Sequence, residues 1–142
     1  MSPLSPTFTL SPGQRAIWFA QQTNPTGTEY QCAELLTFDT MVDVEVLSQV
    51  IADCLETLPV FQAHYAGPAE ATAWPHRIAV EHCGTVAGDV QQWAAQRITE
   101  VADPALRGDT LTKHWLATLP DGTVVWLARF HHITGDGFAI NA

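Results

Sequence analysis

Positive charge is scarce in this chain. Lys and Arg together number 6 against 15 Asp and Glu, a formal net charge of −9 over 142 residues. A surface of that balance repels nucleic acid and anionic membranes, so neither is an expected partner. Long apolar runs are also missing. The N-terminal stretch holds Pro3, Pro6 and Pro12 where a signal peptide or membrane anchor needs an unbroken apolar core. Cysteine is sparse: Cys32, Cys54 and Cys83 are odd in number and lack metal-ligand spacing. They point to free thiols in a reducing, cytoplasmic compartment rather than to a disulfide framework. No internal repeat is present. What remains is 46% hydrophobic and 15% charged, which excludes a disordered chain and suits one core rather than two.

The densest chemistry lies near the C-terminus. His131-His132-Ile133-Thr134-Gly135-Asp136-Gly137 has the pattern H-H-x-x-x-D-G and directly follows Val124-Val125-Trp126-Leu127-Ala128-Arg129-Phe130. The turn signal Pro120-Asp121-Gly122 precedes that apolar run, so residues 123–131 are predicted to pair with residues 111–119 as a hairpin. The histidines then sit at the mouth of a buried strand. Alternation puts Trp126, Ala128, Phe130 and His132 on one face and Arg129 with His131 on the other. The two imidazoles therefore divide the work: His132 is the candidate reagent and His131 a packing or hydrogen-bonding support. Gly135 and Gly137 permit a tight turn that brings in Asp136. A His-x-x-x-Asp pair ligates metal on a helix, but a glycine-bounded turn is not one, and no third ligand accompanies it. No metal is expected.

Elsewhere the signals are those of helices interspersed with strands. Ser11 as cap, Pro12 in the first turn and Gln14 completing a capping box open a helix over residues 12–22. Residues 30–38 read as a strand. Asp43 caps a second helix whose Val44, Leu47, Val50, Ile51, Cys54, Leu55 and Leu58 recur at helical spacing as core. Residues 60–66 and 76–82 read as strands separated by a loop at 67–75, and Asp89 opens a third helix. The expected fold class is α/β (α+β), an open sheet with helices packed on it. His64, His76, His82 and His114 are scattered over different elements and are read as solvated or locally hydrogen-bonded.

The H-H-x-x-x-D-G pattern resembles the active-site motif of condensation domains of non-ribosomal peptide synthetases, in the superfamily of chloramphenicol acetyltransferase. Ser11-Pro12-Gly13-Gln14-Arg15-Ala16-Ile17-Trp18-Phe19 is similar to the opening of those domains, with glycine in the usual alanine position. Leu58-Pro59-Val60-Phe61-Gln62-Ala63-His64-Tyr65 is similar to their second motif. There Gln62 replaces an arginine that pairs with the motif aspartate. An amide hydrogen-bonds a carboxylate without neutralising it. The resemblance runs over residues 1–142 and implies the N-terminal lobe of a two-lobed, chloramphenicol-acetyltransferase-like domain, truncated, with the second lobe absent.

The resemblance further implies amide formation between an acyl donor and an aminoacyl acceptor. Both are carried as thioesters on the phosphopantetheine arms of peptidyl carrier domains, with an adenylation domain in the parent synthetase and an antibiotic or siderophore as end product. No bound cofactor is implied. His132 takes the amine's proton or positions the amine, the backbone N–H of Gly137 is the candidate oxyanion donor, and His131, Asp136 and Gln62 support the turn. An α-ammonium ionises near pH 8 and an ordinary imidazole at about 6.5, so the exchange suits neutral pH. Within the superfamily the competing expectations are a coenzyme A-dependent acyltransferase and an epimerisation domain. Outside catalysis the competitor is a lobe that only binds a carrier. The isolated chain is expected to be inactive.

Overall fold

The computed structural model describes residues 6–39, 41–99, 103 and 105–135. In chain order the elements are β1 (Thr7–Thr9), α1 (Pro12–Thr23), β2 (Gln31–Phe38), α2 (Val44–Glu56), β3 (Ala63–His64), β4 (Glu70–Ala73), β5 (Val80–Thr85), α3 (Val90–Ile98), α4 (Gly108–Leu111), β6 (Thr112–Thr118) and β7 (Val124–His131). Short 3-10 turns occupy Pro59–Phe61 and His132–Thr134. The strands form two sheets, one of order β2-β7-β6-β5 and a smaller one of order β1-β4-β3.

The predicted hairpin is the centre of the larger sheet. β6 and β7 are antiparallel from Thr112↔Phe130 to Thr118↔Val124. Their turn is closed by Asp121, whose carboxylate accepts from Thr123 N at 2.9 Å, and by Gly122 at φ 87, a value that favours glycine. β2 flanks β7 antiparallel, Gln31 opposite His131 and Phe38 opposite Val124, while β5 lies parallel to β6.

Successive residues of the hairpin point to opposite helices. On one face Leu116, Val124 and Trp126 meet Ile51, Leu47 and Leu55 of α2. On the other Trp115 and Leu127 meet Ala94 and Trp93 of α3. The period of two read from the sequence is thus real, and both faces of the sheet are covered by helix. Each helix starts as its cap residue dictates. Asp43 accepts from Glu45 N and Val46 N, and Asp89 from Gln91 N and Gln92 N.

A third cluster gathers Leu10, Ala63, Tyr65, Ala71, Leu106, Leu111 and Ile133, with Ile17 and Trp18 of α1 packed against it. Ile133 is fully buried, so the turn that follows β7 is anchored in this core by a side chain whose burial contributes about 1.5–3 kcal/mol.

Several segments differ from the sequence expectation. Residues 60–66 do not form one strand. Pro59 starts a 3-10 turn, Leu58 before it is extended at ψ 110, and only Ala63–His64 pair. The loop expected at 67–75 contains β4, the central strand of the small sheet, and the proline-bearing stretch before α1 contains β1. Both are short, and β4 packs through Ala71 under Phe8, so neither shows the bulky alternation that marks a strand. The strand expected at 76–82 begins later and ends later, as Val80–Thr85.

Candidate functional site

β7 delivers the paired histidines and ends between them. His131 is its last residue, extended at φ −80 and ψ 135, and His132 begins the 3-10 turn. His132 N donates to Tyr30 O at 2.7 Å, which continues the β2–β7 ladder by one bond. Trp126, Ala128 and Phe130 share a face as expected. His132, the first residue past the strand, lines a depression beside the start of α1 rather than the cavity that those three line.

His131 is buried and has both ring nitrogens engaged. Nδ1 accepts from Ile133 N at 3.1 Å. A ring that accepts at Nδ1 and is neutral carries its proton on Nε2, which donates to Gln21 Oε1 at 2.9 Å. Burial, and secondarily the neighbouring His132, push its pKa down to about 4, so it is neutral at physiological pH. Gln21 is buried in turn, and its Nε2 donates to the carbonyls of Asn24 and Pro25, each at 3.2 Å. His131 is therefore enclosed, with no ring nitrogen left over for a substrate.

The rest of the turn is tied with equal care. Thr134 Oγ1 donates to His131 O at 2.8 Å, and Gly135 N to His132 O at 3.3 Å. Gln14 Nε2 donates to Ile133 O at 2.9 Å. Gln14 also completes the capping box, its N donating to Ser11 Oγ and its Oε1 accepting from Ser11 N. One side chain thus starts α1 and fastens α1 to the turn.

His132 faces the opening. It is half-buried and lines a depression of about 280 Å³ with Ser11, Gly13, Gln14 and Ile17 of the α1 start and with Ile133, Thr134 and Gly135. Its Nδ1 is buried and has no hydrogen-bond partner among the described residues. A buried ring nitrogen without a partner is costly in a purely structural histidine, by about 1–3 kcal/mol, and fits a group that engages something else.

Thr134 and Gly135 also border a larger apolar cavity of about 540 Å³, walled by Leu36, Leu58, Phe61, Trp126, Ala128 and Phe130. His114 at its edge is locally hydrogen-bonded. Trp126 Nε1 donates to its Nδ1 at 3.3 Å, leaving its Nε2 to donate to Thr112 Oγ1 at 2.6 Å, and Thr112 donates onward to Arg129 O at 3.0 Å. Burial pushes the pKa of His114 down to about 4.

The remaining supports are less closely joined. Gln62 Oε1 accepts from His76 N at 2.8 Å, and its buried Nε2 has no partner among the described residues. Asp136 and Gly137 lie outside the described residues, so the pairing of Gln62 with Asp136 and the oxyanion role of Gly137 remain expectations. No group of three His, Cys, Asp or Glu that would hold a metal occurs among the described residues. No helix there is long and apolar enough to cross a membrane.

Gln21 and Tyr30 were not singled out in the sequence. Gln21 had a readable signal, being seven residues from Gln14 on a helical face otherwise made of Ile17 and Trp18, where a polar residue needs a partner. The use of the Tyr30 carbonyl had no signal, because any residue provides one.

The fold and the H-H turn define a class, and comparison with known proteins agrees. Residues 5–142 match the family model described as the condensation domain, and the chain belongs to that family. It is 30% identical over 141 residues to an isonitrile lipopeptide synthase of Mycobacterium tuberculosis, covering 92% of this chain and 6% of that protein. It is 25% identical to the vanchrobactin synthetase VabF of Vibrio anguillarum, covering 91% of this chain and 5% of that one. Among solved structures, the starter condensation domain of rhizomide synthetase superposes with a TM-score of 0.79 at 18% identity, over 96% of this chain and 36% of its own. The first condensation domain of the calcium-dependent antibiotic synthetase, solved with a substrate analogue, gives 0.80 at 22%, over 96% and 35%. The chain thus spans about a third of these solved chains and a small part of the curated relatives.

Proposed function

We propose that this chain supplies the histidine side of an amide-forming condensation centre, acting on an acyl donor and an aminoacyl acceptor held as thioesters by peptidyl carrier domains. The observation that carries the reading is the unequal placement of the two imidazoles. His131 is sealed and fully hydrogen-bonded, whereas His132 borders an opening on a turn whose backbone is tied on both sides.

In this reading His132 takes a proton from the acceptor amine or holds the amine in place. The amine nitrogen attacks the thioester carbon and forms the C–N bond. Collapse breaks the C–S bond, and the departing sulfur takes the proton back, leaving amide and free thiol. Charge that develops on the carbonyl oxygen needs a preorganised donor, and the Gly137 N–H is assigned that role, with Asp136 holding the turn. The donor and acceptor arms meet at a cleft completed by a second lobe, so the 142 residues alone form no product.

The test uses a complete condensation domain carrying this chain, with donor and acceptor loaded on their carriers. His132→Ala lowers amide formation by about 10²-fold or more. Wild-type turnover in that variant refutes the assignment. Product from the 142-residue chain alone refutes the need for a second lobe.

A further inference from the structure

We propose that Gln21, together with Gln14, is a positioning residue for His132, setting the turn through the ring of His131. The inference rests on the catalytic reading of His132 and adds how that side chain is held.

The argument is one of donors and acceptors. Gln21 Nε2 lies 3.2 Å from two carbonyl oxygens, Asn24 O and Pro25 O, which only accept. The amide orientation is thereby fixed, and Oε1, an acceptor, is the atom 2.9 Å from His131 Nε2. That nitrogen must carry the ring proton. Nδ1 is then bare and takes the Ile133 N–H, a group that only donates, at 3.1 Å. A choice made by an amide on α1 is thus passed through one ring to the backbone N–H beside His132. The opposite side of the same residue is held by the other glutamine, Gln14 Nε2 on Ile133 O. Both backbone polar groups of Ile133 therefore answer to α1, while its side chain sits in the core at 0% exposure.

A plain packing role does not call for this arrangement. Apolar residues at both positions would pack without the desolvation that a buried amide and imidazole incur. What the pair gives is a single ring tautomer, and with it a single backbone geometry for the turn that carries His132.

Replacing the amide by a carboxylate tests this, because it keeps the shape and the acceptor toward His131 and adds a charge. The donor to Asn24 O and Pro25 O is lost as well, a loss shared by the same substitution in an H131N background and so separable from the effect on the ring. In Q21E the acceptor toward His131 remains, and the new charge favours the imidazolium. The doubly protonated ring can no longer accept from Ile133 N. Among the described residues, the groups around His131 that carry or take charge are His132 beside it, the Tyr30 phenol with ring centroids 6.2 Å apart, and Arg129, two residues back on β7. The Arg129 guanidinium lies over Trp115 and donates to Arg97 O on α3. None of these is a carboxylate, so the introduced one dominates the change.

Ring-nitrogen NMR of the 142-residue chain is expected to show His131 as the Nε2–H tautomer at neutral pH, with slow exchange of the Ile133 amide. In Q21E His131 becomes doubly protonated and Ile133 exchange rises about 10-fold or more, reverting as pH is raised. In a complete condensation domain Q21E lowers kcat about 10-fold near neutral pH with KM for the carrier-bound acceptor unchanged, and kcat recovers at higher pH. H131N keeps an acceptor near Ile133 N but cannot reach Gln21, so in that background Q21E has no further effect on kcat. The opposite tautomer in the wild-type chain overturns the proposal. So does unchanged Ile133 exchange beside a doubly protonated His131, or an equal kcat loss from Q21E with and without H131N. Loss of the catalytic reading would show separately, as full turnover by His132→Ala, and would leave the tautomer and exchange results standing.

Discussion

Two imidazoles in the fold, His114 and His131, are buried and held neutral, with pKa values pushed down to about 4. In the unfolded chain each returns to about 6.5. Between those values the unfolded state binds more protons than the folded state, so stability is fully present above about pH 6.5 and is lost as pH falls toward 4. From pH 7 to pH 5 the loss is roughly 2 kcal/mol per histidine and about 4 kcal/mol for both, against a total of about 5–15 kcal/mol for an ordinary domain. The slope reaches about 2.4 kcal/mol per pH unit near pH 5 when both contribute. Carboxylates ionise mostly below about pH 5, so the window reports chiefly on the imidazoles. Urea unfolding followed by tryptophan fluorescence gives free energies at each pH. His114→Gln and His131→Asn each lower stability outright, but the informative quantity is the slope, which each is expected to cut by about half. A slope that survives in the double variant refutes the reasoning, because the protons would then be binding elsewhere.

Gln14→Ala removes both the capping box and the bond to Ile133 O, and is expected to cost about 1–3 kcal/mol in the same unfolding assay. Ile133→Ala, at a site with no exposure, should cost about 2–5 kcal/mol, read as a lowered urea midpoint with unchanged m-value. Gln62→Arg restores the residue of the family pattern but removes the acceptor of the His76 N–H. It should destabilise the chain by about 1–3 kcal/mol, and a gain in thermal midpoint would show that pairing with Asp136 outweighs that loss.

The features legible in the sequence were those with a local physical cause. Asp43, Asp89 and Ser11 announced three helices because an oxygen at the cap has specific N–H groups to satisfy. The hairpin was legible because Asp121-Gly122 sits between apolar runs long enough to pair. β1 and β4 were not, since β1 depends on a partner far away in sequence, β4 pairs nearby only with the two-residue β3, and each contributes only a few residues, Phe8 opposite Ala71 among them. The 3-10 turn at Pro59 was hidden for another reason. Val60 and Phe61 have strand-like side chains, and the backbone departs from strand because Pro59 fixes φ at the first position.

The division of labour between the two histidines shows how far strand alternation carries and where geometry takes over. Alternation alone placed them on opposite faces, and a strand continuing through His132 would have set that ring beside Phe130, in the wall of the apolar cavity. Instead Ile133 turns into the core, which ends β7 at His131 and swings His132 to the first turn of α1. The side chain that ends the strand is therefore the one that brings the imidazole to its opening. Its backbone is in turn fixed by Gln14 on one side and His131 on the other. Sheet, core and helix all converge on one peptide unit. A substitution at Ile133 small enough to leave the chain folded should consequently disturb His132 more than a comparable one at Leu116, which is equally buried but supports the other end of the hairpin. Ile133→Val and Leu116→Val, matched in stability loss at about 0.5–1.5 kcal/mol, are expected to separate in the kcat of a complete condensation domain, with only the first reduced. Equal kcat in the two would mean that the turn holds His132 without help from the core.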